Sequence, residues 1–459
     1  MKKNIDVTDI IKYIQQKIDL RVNHKNFYLY KDDHWEKISE DELMILIRDF
    51  YEKDDQESIS TGKIKETVER LSQHPDHQLS FFDEENENYV NLINGLFNVP
   101  EGKLEEHSLN KAYSYILGFN YISRKDRSLE AFDKFVATSF PRETDVKKTL
   151  LLQIMGYVIS DYTKAKSGFF LIGESNSGKS TILELIRKIV PEKYVTSIPL
   201  YNLANRFNLA RLSESRLNIS TELSEKSFAV SDIFKMATSN EMVTAEHKGK
   251  KPFEFRIKTK LINAGNILPT LDKVEGMSAL LNRMVILLFP VSVPKEKQEI
   301  NLLSDLEKEK DSIFSAALDA LSELQKNHFR FTEPQDSIML KTQLADRCNV
   351  IENFLMDSCV REKNARVHMV DLYEAFQKYC ANNCLDICIS KSAFSQRLSR
   401  IPGLQRGKFR LYMSKPLSGI IGVRLKTESE YIRQDSEVDS DESQHKIIYS
   451  DEKINGEKA

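Results

Sequence analysis

The sequence lacks the features that would carry it into a membrane or out of a cell. Its longest apolar run is Met284-Val-Ile-Leu-Leu-Phe289, far short of the ~20 residues a membrane-crossing helix needs. The opening Met-Lys-Lys-Asn-Ile-Asp has no apolar core of a secretory signal. Cysteine is scarce. The five residues (Cys348, Cys359, Cys380, Cys384 and Cys388) are an odd number in a chain with no leader, which points to free thiols in a reducing compartment. Cys380, Cys384 and Cys388 invite a zinc site, but no histidine or fourth cysteine stands at a usual spacing, so buried thiols are the better reading. Internal repeats and heptads are missing as well. Nothing addresses the chain out of the cytoplasm or onto a membrane.

What is present is an ordinary globular composition, 459 residues with 41% apolar and 29% charged, enough for two or three domains. The net charge of −3 argues weakly against a nucleic-acid partner. Its distribution argues the other way. Ile351 to Lys426 holds thirteen Lys and Arg against six Asp and Glu, and Thr427 to Ala459 holds ten acids against four bases. A basic module followed by an acidic segment recurs in proteins that handle nucleic acid. The acidic segment has too little apolar surface to fold and is expected to be disordered.

The most specific signal is Gly173-Glu174-Ser175-Asn176-Ser177-Gly178-Lys179-Ser180, which fits G-x-x-x-x-G-K-[ST]. Phe169-Phe-Leu-Ile172 before it suits a buried strand, and the run from Thr181 to Val190 has helical spacing. A strand, a glycine-bearing loop and a helix N-terminus aim backbone N–H groups at phosphates. Lys179 would reach the β- and γ-phosphates of ATP, and Ser180 would ligate Mg²⁺.

Three further positions could complete such a site. Arg216-Leu-Asn-Ile-Ser-Thr-Glu222 reads as a strand ending in a carboxylate, so Glu222 would hold the magnesium shell or polarise water, or it is an ordinary strand-end glutamate. Lys260-Leu-Ile-Asn-Ala-Gly-Asn266 is an apolar strand ending in an amide that could bond the γ-phosphate, although Asn before a turn is common. Asn282-Arg283 leads into Met284–Phe289. Arg283 is equally an arginine finger for a neighbouring subunit or a surface ion pair.

Elsewhere a helix is expected from Asp6 to Leu20, then a hairpin of Phe27–Tyr30 and Trp35–Ile38 and two more helices. Asn94-Gly95 turns a strand pair. Helices fill 129–162 and 309–327, and 329–334 reads as a linker. After it, Val370–Tyr379 and the Ser390-capped run to Arg400 are helices, with strands at Phe409–Met413 and Ile420–Arg424. This basic module looks like a winged helix, with Lys391, Arg397 and Arg400 facing DNA; a protein-contact winged helix is the rival.

The order of these features resembles a superfamily 3 helicase, within the phage, plasmid and poxvirus-type primase-helicase family. The resemblance runs from about Asn88 to Lys426. Asn94-Gly95-Leu-Phe with Phe119-Asn-Tyr121 is similar to the family's lead-in segment, and Gly173–Ser180 to its phosphate loop. Leu217–Glu222 matches its acidic motif. Phe234–Glu241, Thr244–Lys248 and Pro252–Phe255 look like its third motif, with Asn266 as sensor and Arg283 at the arginine-finger position. Two departures stand out. Thr221-Glu222 offers one carboxylate where many relatives have two, and Asn282-Arg283 one arginine where a pair is frequent. Roughly 85 residues precede the lead-in segment, too few for a primer-synthesising domain.

The resemblance implies a multidomain α/β protein around an AAA+ P-loop core. Its expected parts are an α+β accessory domain (1–85), a lead-in segment and helical collar (86–165), the ATPase (166–330), a winged helix (343–426) and the acidic segment (427–459). It implies an ATP- and Mg²⁺-dependent DNA helicase of a mobile element, working as a ring hexamer in a bacterial host's cytoplasm. Gly173 to Thr181 would bind nucleotide. The cationic turn of His247, Lys248, Lys250 and Lys251, by itself a solvated loop, would contact single-stranded or forked DNA. A separate primase or origin-binding protein is a candidate partner. Two alternatives stay open, a self-loading origin-binding initiator and an AAA+ ATPase that remodels complexes without unwinding.

Overall fold

The computed structural model describes residues 6–23, 26–55, 59–73, 87–221, 223, 231–268, 277–294, 296, 298–348, 350–383, 389–411, 415–427 and 430. The chain divides into two compact units, one of residues 1–270 with 278–339 and one of 271–277 with 340–459. The architecture is mixed α/β.

The first unit begins with α1 (Val7–Lys17), started by Asp6, whose side chain accepts from Thr8 N at 3.1 Å. β1 (Leu20–Asn23), β2 (Asn26–Lys31) and β3 (His34–Ile38) form an antiparallel meander, followed by α2 (Glu40–Asp55) and α3 (Thr61–Gln73). Ile10 and Ile14, one helical turn apart, share a core with Val22, Phe27, Leu43, Ile47 and Ile64. Hydrogen bonds tie the meander to the 89–115 stretch. Trp35 N donates to Tyr113 O at 2.7 Å, and Asn91 Nδ2 to Asp33 O at 3.0 Å.

A second meander, β4 (Tyr89–Leu92), β5 (Gly95–Asn98) and β6 (Lys103–Glu105), turns at Asn94-Gly95 as expected. Then come α4 (Glu130–Ser139) and α5 (Thr144–Ile159). The centre of the unit is a five-stranded parallel sheet. Its members are β7 (Gly168–Gly173), β8 (Val195–Thr196), β9 (Leu217–Ser220), β12 (Lys260–Gly265) and β13 (Met284–Phe289), in the order β13-β7-β12-β9-β8. Four of the six residues in β13 and five of the six in β7 are fully buried. That burial explains why these strands read as unbroken apolar runs instead of alternating ones.

Between the strands lie α6 (Lys179–Ile189), α7 (Arg206–Arg211), α8 (Ser231–Thr238), the antiparallel hairpin β10 (Met242–Ala245) and β11 (Phe253–Arg256), and α9 (Met277–Leu281). After β13 come α10 (Leu302–Lys308) and α11 (Lys310–Lys326), which packs along α5. It covers the helix expected at 309–327, and Ile313, Phe314, Ala317, Leu318, Leu321 and Leu324 are buried along it. At roughly 1.5–3 kcal/mol for each large side chain, α11 is a main pillar of the core.

Residues 329–334 are not the loose linker expected. Phe329 packs at a tilt against Tyr162 at 4.8 Å, and Phe331 meets Phe169 at 5.5 Å and Tyr157 at 5.7 Å edge to face. Two aromatics in six residues outweigh the absence of helical periodicity, and the segment lies on the core as a strap. It leads into α12 (Gln335–Cys348), a continuous helix that runs across residue 343, where the winged helix was expected to begin. The start of α12 is fastened within the first unit. Lys147, 1% exposed, pairs with Asp336, Glu143 Oε1 accepts from Gln335 N at 3.0 Å, and Ser337 Oγ donates to Ile286 O at 2.9 Å.

The second unit contains α13 (Val350–Ser358), β14 (Cys359–His368), α14 (Met369–Asn382), α15 (Lys391–Leu398), β15 (Gln405–Phe409) and β16 (Leu417–Leu425). Its antiparallel sheet has the order β14-β16-β15. Phe354, Phe376 and Phe394 meet at its centre, the last two 4.5 Å apart. Ser390 caps α15 as expected, accepting from Ala393 N at 3.3 Å, and Phe394 and Leu398 are buried.

Two expectations need correction. The strand expected at 409–413 ends at Phe409 and starts upstream at Gln405, because it pairs with β16 from the Gln405–Ile421 register. β14 was not anticipated, since its middle, Arg-Glu-Lys-Asn-Ala-Arg, is polar. Its ladder is broken between Arg361 and Arg366, so those residues bulge from the sheet. Cys359 and Cys380 are buried free thiols; Cys384 and Cys388 lie outside the described residues. So does the acidic segment expected to be disordered, apart from Thr427 and Glu430. Among the described residues no helix is long and apolar enough to cross a membrane.

Candidate nucleotide site

β7 ends at Gly173, and the chain turns through Glu174–Gly178 into α6. Two backbone requirements explain the glycines. Gly178 sits at φ +94°, and a Cβ there would stand 2.6 Å from Phe135 Cε2 of α4. A Cβ on Gly173 would stand 2.2 Å from Phe289 O of β13. Asn176 takes the remaining left-handed position, φ 62°, which asparagine tolerates. The loop is also held from outside, because Val293 N donates to Asn176 O at 3.0 Å and Ser292 Oγ to Ser175 O at 2.8 Å. Sequence reasoning missed this strap; its only signal is its position just past an apolar strand.

Lys179 is the buried charge of the loop. It is 8% exposed, and its Nζ donates to Gly173 O at 2.5 Å, Glu174 O at 2.6 Å and Ser177 Oγ at 3.0 Å. Among the described residues no carboxylate pairs with it, and burial pushes its pKa down from the ordinary lysine value. A buried ammonium ringed by neutral oxygens, beside the N–H groups that open an eleven-residue helix, fits a polyanion. Ser180 is exposed on the first turn of α6, where a hydroxyl ligand to a cation beside that anion would stand, and Thr181 follows it half-buried.

The sheet order determines what else reaches this edge. β12 lies directly beside β7, and Gly265 pairs with Ile172, so Asn266, exposed, stands level with Gly173. β9 is the next strand out, and its C-terminal Ser220 pairs with Asn263. Glu222 itself lies outside the described residues.

Arg283 is not at this edge. It precedes the Met284–Gly168 pair at the start of β13, about 20 Å along the strand from Gly173 at ~3.3 Å per residue. Its guanidinium donates to Ala279 O at 2.9 Å and Ser239 Oγ at 3.2 Å, and Nε is buried without a partner.

The cationic turn between β10 and β11 has His247, Lys248, Lys250 and Lys251 all exposed or half-exposed. His247 stacks on Phe253 at 5.0 Å and 12°, and Phe253 on Phe255 at 5.7 Å, an aromatic row running into the basic turn. Arg206 pairs with Glu246 at 3.1 Å and fixes the base of the hairpin on α7. In the second unit Lys391 and Arg400 are exposed and Arg397 is half-buried on α15.

At the opposite edge of the parallel sheet lies a charge cluster that sequence reasoning missed. Arg216 Nη1 meets Asp161 Oδ1 at 2.7 Å, Tyr115 donates to Asp161 Oδ2 at 3.0 Å, and the guanidinium lies 3.4 Å over the Tyr115 ring. Lys260, 5% exposed, stands beside them with its Nζ 5.3 Å from the Tyr157 ring; burial pushes its pKa down to about 7 against the pull of Asp161. Burial raises the Asp161 carboxyl, but Arg216 and Lys260 outweigh it and hold the group below its usual value. The residues come from 115, 161, 216 and 260, and no local pattern joins them.

Residues 9–141 match the family described as D5 N terminal like, and residues 171–279 match a family of unknown function, DUF5906. The first match runs across the 85/86 boundary expected from the sequence, in keeping with the hydrogen bonds that cross it. No curated protein matches the chain. Among solved structures the chain is similar to the A form apo structure of the NrS-1 C terminal region (305–718), at 12% identity and TM-score 0.50, covering 91% of this chain and all of that one. A second apo structure of the same region gives 12% identity and TM-score 0.50 over 92% of this chain and all of that one. At that identity the likeness concerns the fold.

Proposed function

We propose that the chain is an ATP-driven DNA helicase of the replication system of a phage or other mobile element, built on an AAA+ core of superfamily 3 type. The observation that carries this reading is the buried Lys179, without a counter-acid among the described residues, at the C-terminal edge of a sheet ordered β13-β7-β12-β9-β8. In that order the strand ending in Asn266 lies between the phosphate-loop strand and the strand leading to Glu222. The match of residues 9–141 to a D5-like N-terminal family supports the replicative setting.

Gly173–Thr181 would hold the triphosphate, with Lys179 releasing its carbonyl partners to meet the β- and γ-phosphates. Ser180 and Glu222 would hold Mg²⁺, which when bound neutralises charge on the phosphate oxygens. Glu222 would orient the attacking water, and Asn266 would bond the γ-phosphate or that water. Arg283, about 20 Å from its own loop by strand count, cannot serve the same protomer's nucleotide. A head-to-tail neighbour could receive it, and such contacts close into rings, here a hexamer. The His247–Lys251 turn would grip single-stranded backbone, with Phe253 supporting the stack. The second unit, read as a winged helix, would add Lys391, Arg397 and Arg400 to duplex or fork binding.

The test is Lys179→Ala, measured for ATP hydrolysis and for unwinding of a forked duplex. Both are expected to fall by at least ~10²-fold, and survival of both would sink the proposal. Hydrolysis that responds to DNA without any strand separation would favour the remodelling ATPase instead.

A further inference from the structure

The second unit holds more positive charge than its own acids can balance, thirteen Lys and Arg against six Asp and Glu between Ile351 and Lys426. Arg361, Lys363 and Arg366 on β14 are exposed, as are Arg406 and Lys408 on β15 and Arg410 just beyond it. These strands flank β16 on either side, so the sheet presents two basic margins.

The acidic segment begins on that sheet. Lys426 Nζ donates to Met356 O at 2.9 Å and Asp357 O at 2.8 Å, capping the C-terminal end of α13. Glu430 then folds back. Its two carboxylate oxygens accept from Arg424 Nη1 and Nη2, each at 2.8 Å, and one also accepts from Thr427 N at 2.8 Å. The paired Arg424 guanidinium, with Thr427, holds the Glu430 carboxyl far below the usual carboxylate range. The first described acid of the segment is therefore docked by a two-pronged bond, the stronger geometry for a guanidinium and a carboxylate.

Beyond it, residues 435–442 contain Asp435, Glu437, Asp439, Asp441 and Glu442 and no base. At up to ~3.4 Å per residue, Asp435 can lie as far as ~17 Å from Glu430 and Glu442 as far as ~41 Å. Three strands ~4.8 Å apart are only ~10 Å across. The acidic run can reach either margin. We propose that residues 435–442 dock on the basic margins of their own β14-β16-β15 sheet and compete there with the phosphates of a nucleic acid. A short tether gives an effective concentration of order mM, so a pairing too weak to matter between separate molecules holds within one chain. The docking stands on the charges alone; the competition rests on the DNA-binding role proposed for this unit.

Zero-length carbodiimide coupling on the full chain tests the docking directly. In low salt, amide cross-links are expected from residues 435–442 to Lys363, Lys408 or Lys415, the last exposed just before β16, and ~0.5 M salt should remove them by screening. Coupling of these acids to none of the three lysines would overturn the docking. For the competition, the variant D435N/E437Q/D439N/D441N/E442Q should bind a labelled oligonucleotide roughly 5–10-fold tighter than the natural chain at low salt. The gain should vanish when Arg406→Gln, Lys408→Gln and Arg410→Gln are added. Equal affinity, or a gain that survives those three changes, would overturn the competition. Cross-links formed by a chain that binds no oligonucleotide in any variant would remove the DNA reading and leave the docking standing.

Discussion

The two edges of the parallel sheet treat buried positive charge in opposite ways. At the N-terminal edge Arg216 has Asp161 at 2.7 Å, a tyrosine hydroxyl on the same carboxylate and an aromatic face beneath it. At the C-terminal edge Lys179 has two carbonyls and a hydroxyl. The first cation is compensated within the fold. The second is left with neutral acceptors, which offset only part of the cost of taking an ammonium out of water. A fold that pairs one cation and leaves the other with neutral acceptors is what the proposed nucleotide site calls for.

That contrast can be broken from either end. Lys179→Ala should lower ATP hydrolysis by ~10²-fold or more while leaving the denaturant midpoint unchanged or raised, because it removes an ill-solvated charge; a marked drop in the midpoint would mean that the lysine holds the fold. Asp161→Asn should do the reverse. It strands Arg216 and should cost about 3 kcal/mol in chemical denaturation, the low end for a broken buried pair, because the two side chains keep 26% and 18% exposure. Its hydrolysis per folded molecule should be close to natural.

Lys260 sharpens the same comparison through pH. Its folded pKa, about 7, lies below the ordinary lysine value of 10.5, so between those values the unfolded chain binds more protons. Its contribution to stability therefore rises with pH across that window and is lost as pH falls toward 7. Lys260→Met removes the dependence. The stability difference between natural chain and variant should change by up to about 3 kcal/mol between pH 7 and 9.5, from 1.36 kcal/mol per unit. A difference flat with pH would mean that the ammonium is solvated. The smallest effect should come from Ser292→Ala, which removes one hydrogen bond to the phosphate loop. About 1 kcal/mol of loop stability should appear as a few-fold weaker nucleotide affinity, and an unchanged affinity would show that the strap has no role there.

The sequence showed one edge of the sheet and hid the other. The proposed phosphate loop is local, eight consecutive residues between an apolar strand and a helix, and each requirement has a fixed offset. Asn266 was legible for the same reason, as the polar end of an apolar run. The Tyr115–Asp161–Arg216–Lys260 cluster joins residues 145 positions apart at its extremes, and only the strand order assembles it. Arg283 was visible as a residue, but its inward bonds to Ala279 O and Ser239 Oγ were not, because they depend on how α9 enters β13. The second unit divides likewise. Ser390 and the apolar period after it gave α15, whereas the polar, bulged β14 hides its strand in a sequence that alternates nothing.

The central claim is that Lys179 is buried for a polyphosphate. The direct measurement is the thermal midpoint of the natural chain and of Lys179→Ala with and without millimolar Mg²⁺–ATP. A ligand at 100 times its dissociation constant stabilises by about 2.7 kcal/mol, so the natural chain should rise by several degrees and the variant should not move. An equal rise in both, or none in the natural chain, would contradict the account.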